Sequence, residues 1–545
     1  MGEPCGGRCG VVVDGVSPGT QTVCDVPSGR CLPVVGGCEC ALGFAVNAGG
    51  GGPLVCEVTC GCAALPAIQE GRPGVFGKLH RDGEGLVVTS YEPEYGDLVA
   101  SRFVPDSALD EPGREGLITA RVDTIMDGLP VGGPVVSSGA YRGGVAEPGP
   151  DVGDRPEVVV EGGTTHVVYR DRDGNRIRYG RFEGGMRQAS MPLPVFGLAS
   201  EGYGSGSGSA GPDSGPDFGV GRFQCLVSRS DGTLAGLAFV GADPFDQASL
   251  LVRFESRVAS PVAESDWVAT TVIETPLPPR EAAPCGDACG LTEACVVAPS
   301  GQRACAALID LGNLTPSPEC AACTARQVCG EVEGVKACHP RVERRDDVDR
   351  LPFGEGLFVS CTLDEGGQVV AAWYDADRRR LVAGRWPFSS ADRVVVDVGP
   401  GRDPGRFTSV AADGAGLAIA YQDAGTAELK LARAASWGAP WSSVIVPTGA
   451  GEHGIWARLR LVDQPAGAAV IAAGEGESGD ILVFAERAGC WGSKRALSNG
   501  VYLYPDLLVE GGDLWVSARA LTFDESLVPR HAPVLARVTL PGCAP

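Results

Sequence analysis

The chain has 545 residues and a mass of 56.0 kDa, room for about three to five domains of ~100–200 residues, or one repeat array with small modules. Its net charge of −23 and pI near 4.7 count against nucleic-acid and anionic-membrane partners, which need a basic face. Hydrophobic residues make up 44%, so a sizeable core can be buried, and no apolar run reaches the ~18–20 residues of a membrane span.

The chain opens on a cysteine cluster: Cys5, Cys9, Cys24, Cys31, Cys38, Cys40, Cys56, Cys60 and Cys62. So short a segment has too few large apolar residues to fold on a core, and crosslinks are the usual remedy. Disulfides imply an oxidising compartment and therefore export. Zinc is the rival reading, through the close pairs Cys38-x-Cys40, Cys60-x-Cys62 and, later, Cys320-x-x-Cys323, but histidine hardly contributes. The start Met1-Gly2-Glu3-Pro4-Cys5 lacks a basic and an apolar leader region. The cluster's odd count points to a missing N-terminal piece with a further cysteine, or to a thiol that is free or paired with another chain. Cys38-x-Cys40-Ala41-Leu42-Gly43-Phe44, closed by Cys56, resembles the second half of an EGF-like module.

Beyond residue 66 a longer period sets in. The first copy begins at Phe76 and continues through Leu86–Tyr91 and Leu98–Phe103. The second runs Val158-Val159-Val160, then Thr165 to Asp171, then Ile177 to Phe182. The third begins at Phe223. Residues 204–219, rich in Gly and Ser, have linker composition.

A second cysteine cluster interrupts the array. Cys285, Cys289, Cys295 and Cys305 are followed by Cys320, Cys323, Cys329 and Cys338 at similar spacing, which predicts a duplicated, staple-held unit. Four more copies begin at Phe358, Phe407, Ile455 and near Pro505. Spacings of 49, 48 and 51 residues between Phe358, Phe407, Ile455 and Asp506 suit a blade of four strands with turns. Frequent Gly/Asp turns and weak helical periodicity argue for an all-β fold. Stacking such sheets around an axis buries faces that each sheet alone would expose.

The repeat (an apolar run, Tyr or Trp, Asp, a turn, then Leu-x-x-Ala) resembles the blade repeats of secreted bacterial β-propellers of sialidase-like or exported-repeat type. The seven copies make about seven blades, and the resemblance implies export and an enzyme of the sialidase kind. The last is not supported by motif: the nearest turn, Ser228 to Thr233, lacks the spacing and the Trp that such enzymes carry, so no arginine triad can be assigned. Recurrent Tyr169/Asp171, Tyr374/Asp375 and Tyr421/Asp423 are read as structural: the Asp caps the next turn and the aromatic packs between blades. Asp171-Arg172-Asp173-Gly174-Asn175 has half the oxygen ligands of a calcium loop and reads better as a hairpin turn. Calcium is the weak alternative to no cofactor. Asn313-Leu314-Thr315 fits a glycosylation sequon and is read as an ordinary loop. Cys225 and Cys361, on innermost strands of consecutive copies, are expected to bridge two blades, and Cys490 to pair with Cys543.

The expected organisation is a cysteine-rich, partly EGF-like module over 1–66, blades 1–3 over 67–282, an inserted tandem cysteine-rich module over 283–342 and blades 4–7 over 343–545. The expected function is an exported or cell-surface binding or scaffold protein. It recognises an extracellular glycan, peptide or protein on its loop face or at the mouth of the central channel. The alternative is a propeller-type glycosidase or lyase acting on extracellular polysaccharide, and a third reading is a cytosolic zinc-bound interaction protein. No catalytic residue, binding residue or metal ligand is singled out.

Overall fold

The computed structural model describes residues 72–542, apart from the connections 105–114, 129–149, 196–219 and 242–247, the stretch 277–350 and scattered turn residues. Outside these limits, only backbone strands within 21–58 and 293–340 are described. Seven four-stranded antiparallel sheets follow one another along the chain. Their innermost strands are Val75–Asp82, Val152–Glu161, Val220–Ser228, Glu355–Leu363, Pro404–Asp413, His453–Asp463 and Val501–Glu510. Each packs against the next, and the seventh packs against the first. The fold is the expected all-β, seven-bladed propeller.

Burial peaks on the second strand of a blade and falls off toward its outer edge. The second strand of blade 4, Val369–Asp375, is buried at every position because neighbouring sheets press on both of its faces. The outermost strand of blade 5, Ser442–Ile445, is exposed at every position.

A bulge marks each innermost strand, visible as register shifts such as Val75/Lys78, Leu357/Ser360 and Arg406/Ser409. Its sequence signature is a glycine two residues before a large side chain. Gly153 (φ 100°) and Gly356 (φ 118°) hold conformations that only glycine adopts without strain. A Cβ on Gly153 would stand 2.6 Å from the Leu98 backbone, and one on Gly356 would stand 2.8 Å from Leu251. Both neighbours lie on the third strand of the preceding blade. The bulge therefore seats one blade against the one before it.

The ring closes by exchange. The fourth strand of blade 7 is Gly116–Ile118, from the N-terminal side of the array, paired with Pro529–Val538 in the register Ile118↔Leu535. The chain then turns back to supply Arg121–Asp127 as the outer strand of blade 1. Ile118 is buried with Leu79, Leu86, Val88, Phe103 and Leu535, a cluster that joins the first and last blades.

Cys225 and Cys361 form the expected bridge between blades 3 and 4, with Cα atoms 5.7 Å apart. Cys490 is disulfide-bonded too, and Cys543, its expected partner, lies outside the described residues. The side chains of the other cysteines, the EGF-like stretch, the linker 204–219 and Asn313 also lie outside them. Backbone registers do set Cys24 opposite Cys31, Cys295 opposite Cys305 and Cys329 opposite Cys338. The last two hairpins occupy matching places in the two halves of the inserted segment.

Candidate site at the mouth of the axial channel

Two residues beyond the bulge glycine in six blades, and at Tyr504 in blade 7, one residue of each innermost strand joins a circle around the propeller axis. Six of the seven residues at this position are aromatic and one is arginine. Ring centroids lie 4.5 Å apart for Phe76–Tyr504, 4.7 Å for Tyr504–Trp456 and 6.0 Å for Trp456–Phe407. They lie 4.7 Å apart for both Phe407–Phe358 and Phe358–Phe223. The Arg155 guanidinium completes the circle, 5.2 Å from the Phe223 centroid and 4.0 Å from that of Phe76. All but Phe223 have left-handed backbones, with φ between 51° and 54°. For bulky residues that conformation is uncommon and costs of order 1–3 kcal/mol each. The tilted rings pack edge against face and close the channel like an iris.

Seven seams hold this iris. Lys78 Nζ meets Glu157 at 2.5 Å between blades 1 and 2. Gln224 Nε2 donates to the Arg155 carbonyl at 2.7 Å between blades 2 and 3. The Cys225–Cys361 disulfide joins blades 3 and 4. The Val410 N–H donates to Ser360 Oγ at 3.2 Å, and the Leu459 N–H donates to Ser409 Oγ at 3.0 Å. Arg458 lies 3.7 Å from Asp506, and the Leu79 N–H donates to Asp506 at 2.7 Å to close the circle. Cys225, Ser360, Ser409 and Asp506 all stand two residues beyond the ring residue of their blade. The disulfide thus occupies a place that a serine hydroxyl or a carboxylate fills elsewhere.

The circle has two unlike halves. On blades 3–5 the ring residues Phe223, Phe358 and Phe407 are buried, and the layer beneath carries cysteine and serine. On blades 6, 7, 1 and 2 the ring residues Trp456, Tyr504, Phe76 and Arg155 are half-buried. The layer beneath them carries Arg458, Asp506, Lys78 and Glu157. Burial and the nearby Arg458 push the Lys78 ammonium below its usual range. A cavity of about 80 Å³ lies at the axis, lined from blades 1 to 6 by residues that include Phe76, Arg155, Gln224, Phe358, Phe407 and Arg458.

Gln224 is 3% exposed, and its Oε1 has no hydrogen-bond partner among the described residues. Its amide is spent on the Arg155 and Val168 carbonyls. A buried acceptor left unsatisfied costs ~1–3 kcal/mol.

The strand-end tyrosines and aspartates are structural, as the sequence suggested. Tyr169 and Tyr421 donate to Asp127 and Asp397 of the preceding blade, each at 2.5 Å. Tyr374 donates forward to Asp403 at 2.5 Å. Asp171 accepts the Gly174 N–H at 2.7 Å and pairs with Arg176, so the Asp171–Asn175 stretch is a capped hairpin turn. Asp375 and Asp423 cap their turns likewise. In the Ser228–Thr233 turn, Asp231 accepts from the Thr233 N–H at 2.9 Å.

Among the perturbed acids, Asp377 has a stability consequence. Burial, then the nearby Asp375 and Glu355, raise the Asp377 carboxyl to about 6. A raised carboxyl favours the folded state below the unfolded value of ~3.9 and loses that advantage as pH rises through 6. Asp377→Asn, which keeps the acceptor for the Gly354 N–H, is therefore expected to gain about 1 kcal/mol over wild type at pH 7.5 and little at pH 4. Urea unfolding at both pH values checks this, and an equal gain at both would refute it.

Sequence reasoning placed four copies at Phe76, Phe223, Phe358 and Phe407, which are ring residues, but took them only as strand starts. Arg155, Trp456 and Tyr504 were missed. The signal that finds most of the ring is Gly-x-large: Gly74-x-Phe76, Gly153-x-Arg155, Gly221-x-Phe223, Gly356-x-Phe358, Gly405-x-Phe407 and Gly454-x-Trp456.

No family model matches the chain, and no curated protein matches it. Solved structures resemble it in fold. An α-L-arabinanase of Penicillium chrysogenum complexed with arabinobiose is 11% identical at a TM-score of 0.36, covering 70% of this chain and 92% of its own. The polysaccharide lyase Uly1 is 11% identical at 0.31, covering 87% and 91%. A subtype N11 neuraminidase-like protein (H18N11, flat-faced bat) is 10% identical at 0.34, covering 94% and 98%.

Proposed function

We propose that this protein is an exported, carbohydrate-handling β-propeller that takes its ligand at the channel mouth, on the half formed by blades 6, 7, 1 and 2. The observation that carries the reading is the half-buried arc Trp456–Tyr504–Phe76. Aromatic faces pack against the C–H faces of sugars. Export is supported by the Cys225–Cys361 disulfide, since such bonds persist mainly in oxidising compartments. No helix among the described residues is long and apolar enough to cross a membrane.

Titration of the full chain with oligosaccharides, read by calorimetry, tests the proposal. Binding in the micromolar to millimolar range is expected, and Trp456→Ala is expected to weaken it at least tenfold. Binding that Trp456→Ala leaves unchanged would place the site elsewhere. The second reading, a propeller-type glycosidase or lyase, names activities printed for the fold neighbours and shares the same mouth. Release of shortened products by the full chain would favour it.

A further inference from the structure

We propose that the channel mouth selects an acidic ligand end, a carboxylate carried on a terminal sugar, with Arg155 as the residue that reads it. This deepens the carbohydrate reading above and rests on it.

Three observations converge on the assignment. The first is charge pairing. Below the ring, Lys78 is matched by Glu157 and Arg458 by Asp506. Arg155 has no such match: its guanidinium makes no ion pair or hydrogen bond among the described residues, and its contacts are the faces of Phe76 and Phe223. The mouth is thus cationic in a chain of net charge −23. Such a local reversal of sign draws anions toward one point on an otherwise repelling surface.

The second observation is geometry. Arg155 is held rather than merely present. Its backbone is left-handed at φ 51°, its carbonyl accepts from Gln224, and its guanidinium carbon lies 4.0 and 5.2 Å from two ring centroids. Its N–H donors, unspent among the described residues, suit a planar carboxylate taken two at a time. A guanidinium already fixed loses little freedom when it binds.

The third is size. The cavity measures about 80 Å³, room for several waters and so for a carboxylate with part of its sugar, but not for a whole oligosaccharide. A carboxylate enters, its sugar rests on the Trp456–Tyr504–Phe76 arc, and the rest of the chain lies outside. The recognised feature is therefore an end of a saccharide and not its middle.

The test compares a glucuronate-terminated oligosaccharide with its glucose-terminated counterpart, titrated into the full chain and into Arg155→Met, which keeps the bulk and drops the charge. Wild type is expected to bind the acidic end at least tenfold more tightly, and Arg155→Met to bind the two alike. Arg155→Lys, which keeps the charge without the fork, is the second variant should Arg155→Met fold poorly. It is expected to retain only part of the preference. Equal binding of both saccharides by wild type overturns the acidic-end inference and leaves the carbohydrate reading standing. A preference that survives in both variants overturns the assignment to Arg155. Binding of neither saccharide overturns the carbohydrate reading itself.

Discussion

Ile118→Asp is expected to cost ~3–5 kcal/mol of stability and to open the seam between the first and last blades. Ile118 is 4% exposed and packs against residues of both blades. A carboxylate there would be buried without a partner, the situation in which single substitutions are most damaging. Leu117, its neighbour on the same three-residue strand, is 51% exposed. Leu117→Asp keeps the backbone pairing with Ala536 and is expected to cost less than about 0.5 kcal/mol. Urea unfolding of the two variants side by side, with limited proteolysis to locate the opened seam, gives the measurement. Equal stability of the two would mean that this short strand does not hold the ring shut.

The second large effect concerns the bond between blades 3 and 4. Its two cysteines are 136 residues apart. In the chain-entropy account, a crosslink over that length constrains the unfolded state by about 5 kcal/mol. Crosslinks inside the intervening segment would shorten the effective loop and reduce the figure. A serine at 225 would also stand where Ser360 and Ser409 serve neighbouring seams, restoring a hydrogen bond worth ~1 kcal/mol. Cys225→Ser with Cys361→Ser is therefore expected to lose ~3–4 kcal/mol. Reductant should then destabilise wild type by more than it destabilises the double variant. Unfolding curves with and without dithiothreitol decide it, and a double variant as stable as wild type would show that the bond adds nothing to the closed ring.

Much of the architecture could be read in the chain because it repeats. Blade spacing, the turn-capping aspartates and the bridge between Cys225 and Cys361 all follow from residues that recur in register. The iris was hidden for a physical reason. Period-two reasoning treats Phe358 or Phe407 as one more inward residue of a strand, whereas the bulge rotates it onto the axis. Arg155 was harder still. Its copy was aligned on Val158, three residues late, because an arginine among phenylalanines breaks the apolar pattern. The exchange of Gly116–Ile118 into blade 7 has no local signature, since three residues carry too little pattern to name a partner more than four hundred residues away.

That exchange has a consequence for the order of assembly. As the chain emerges from the ribosome, Gly116–Ile118 appears more than four hundred residues before its partner, Pro529–Val538. Six sheets can form with their own strands while the seventh waits, so the nascent molecule is an open arc with two unmatched flanks. Long-range pairing of this kind is slow and leaves apolar edges uncovered meanwhile. The circle shuts only once Pro529–Val538 has emerged and paired with a strand made long before it.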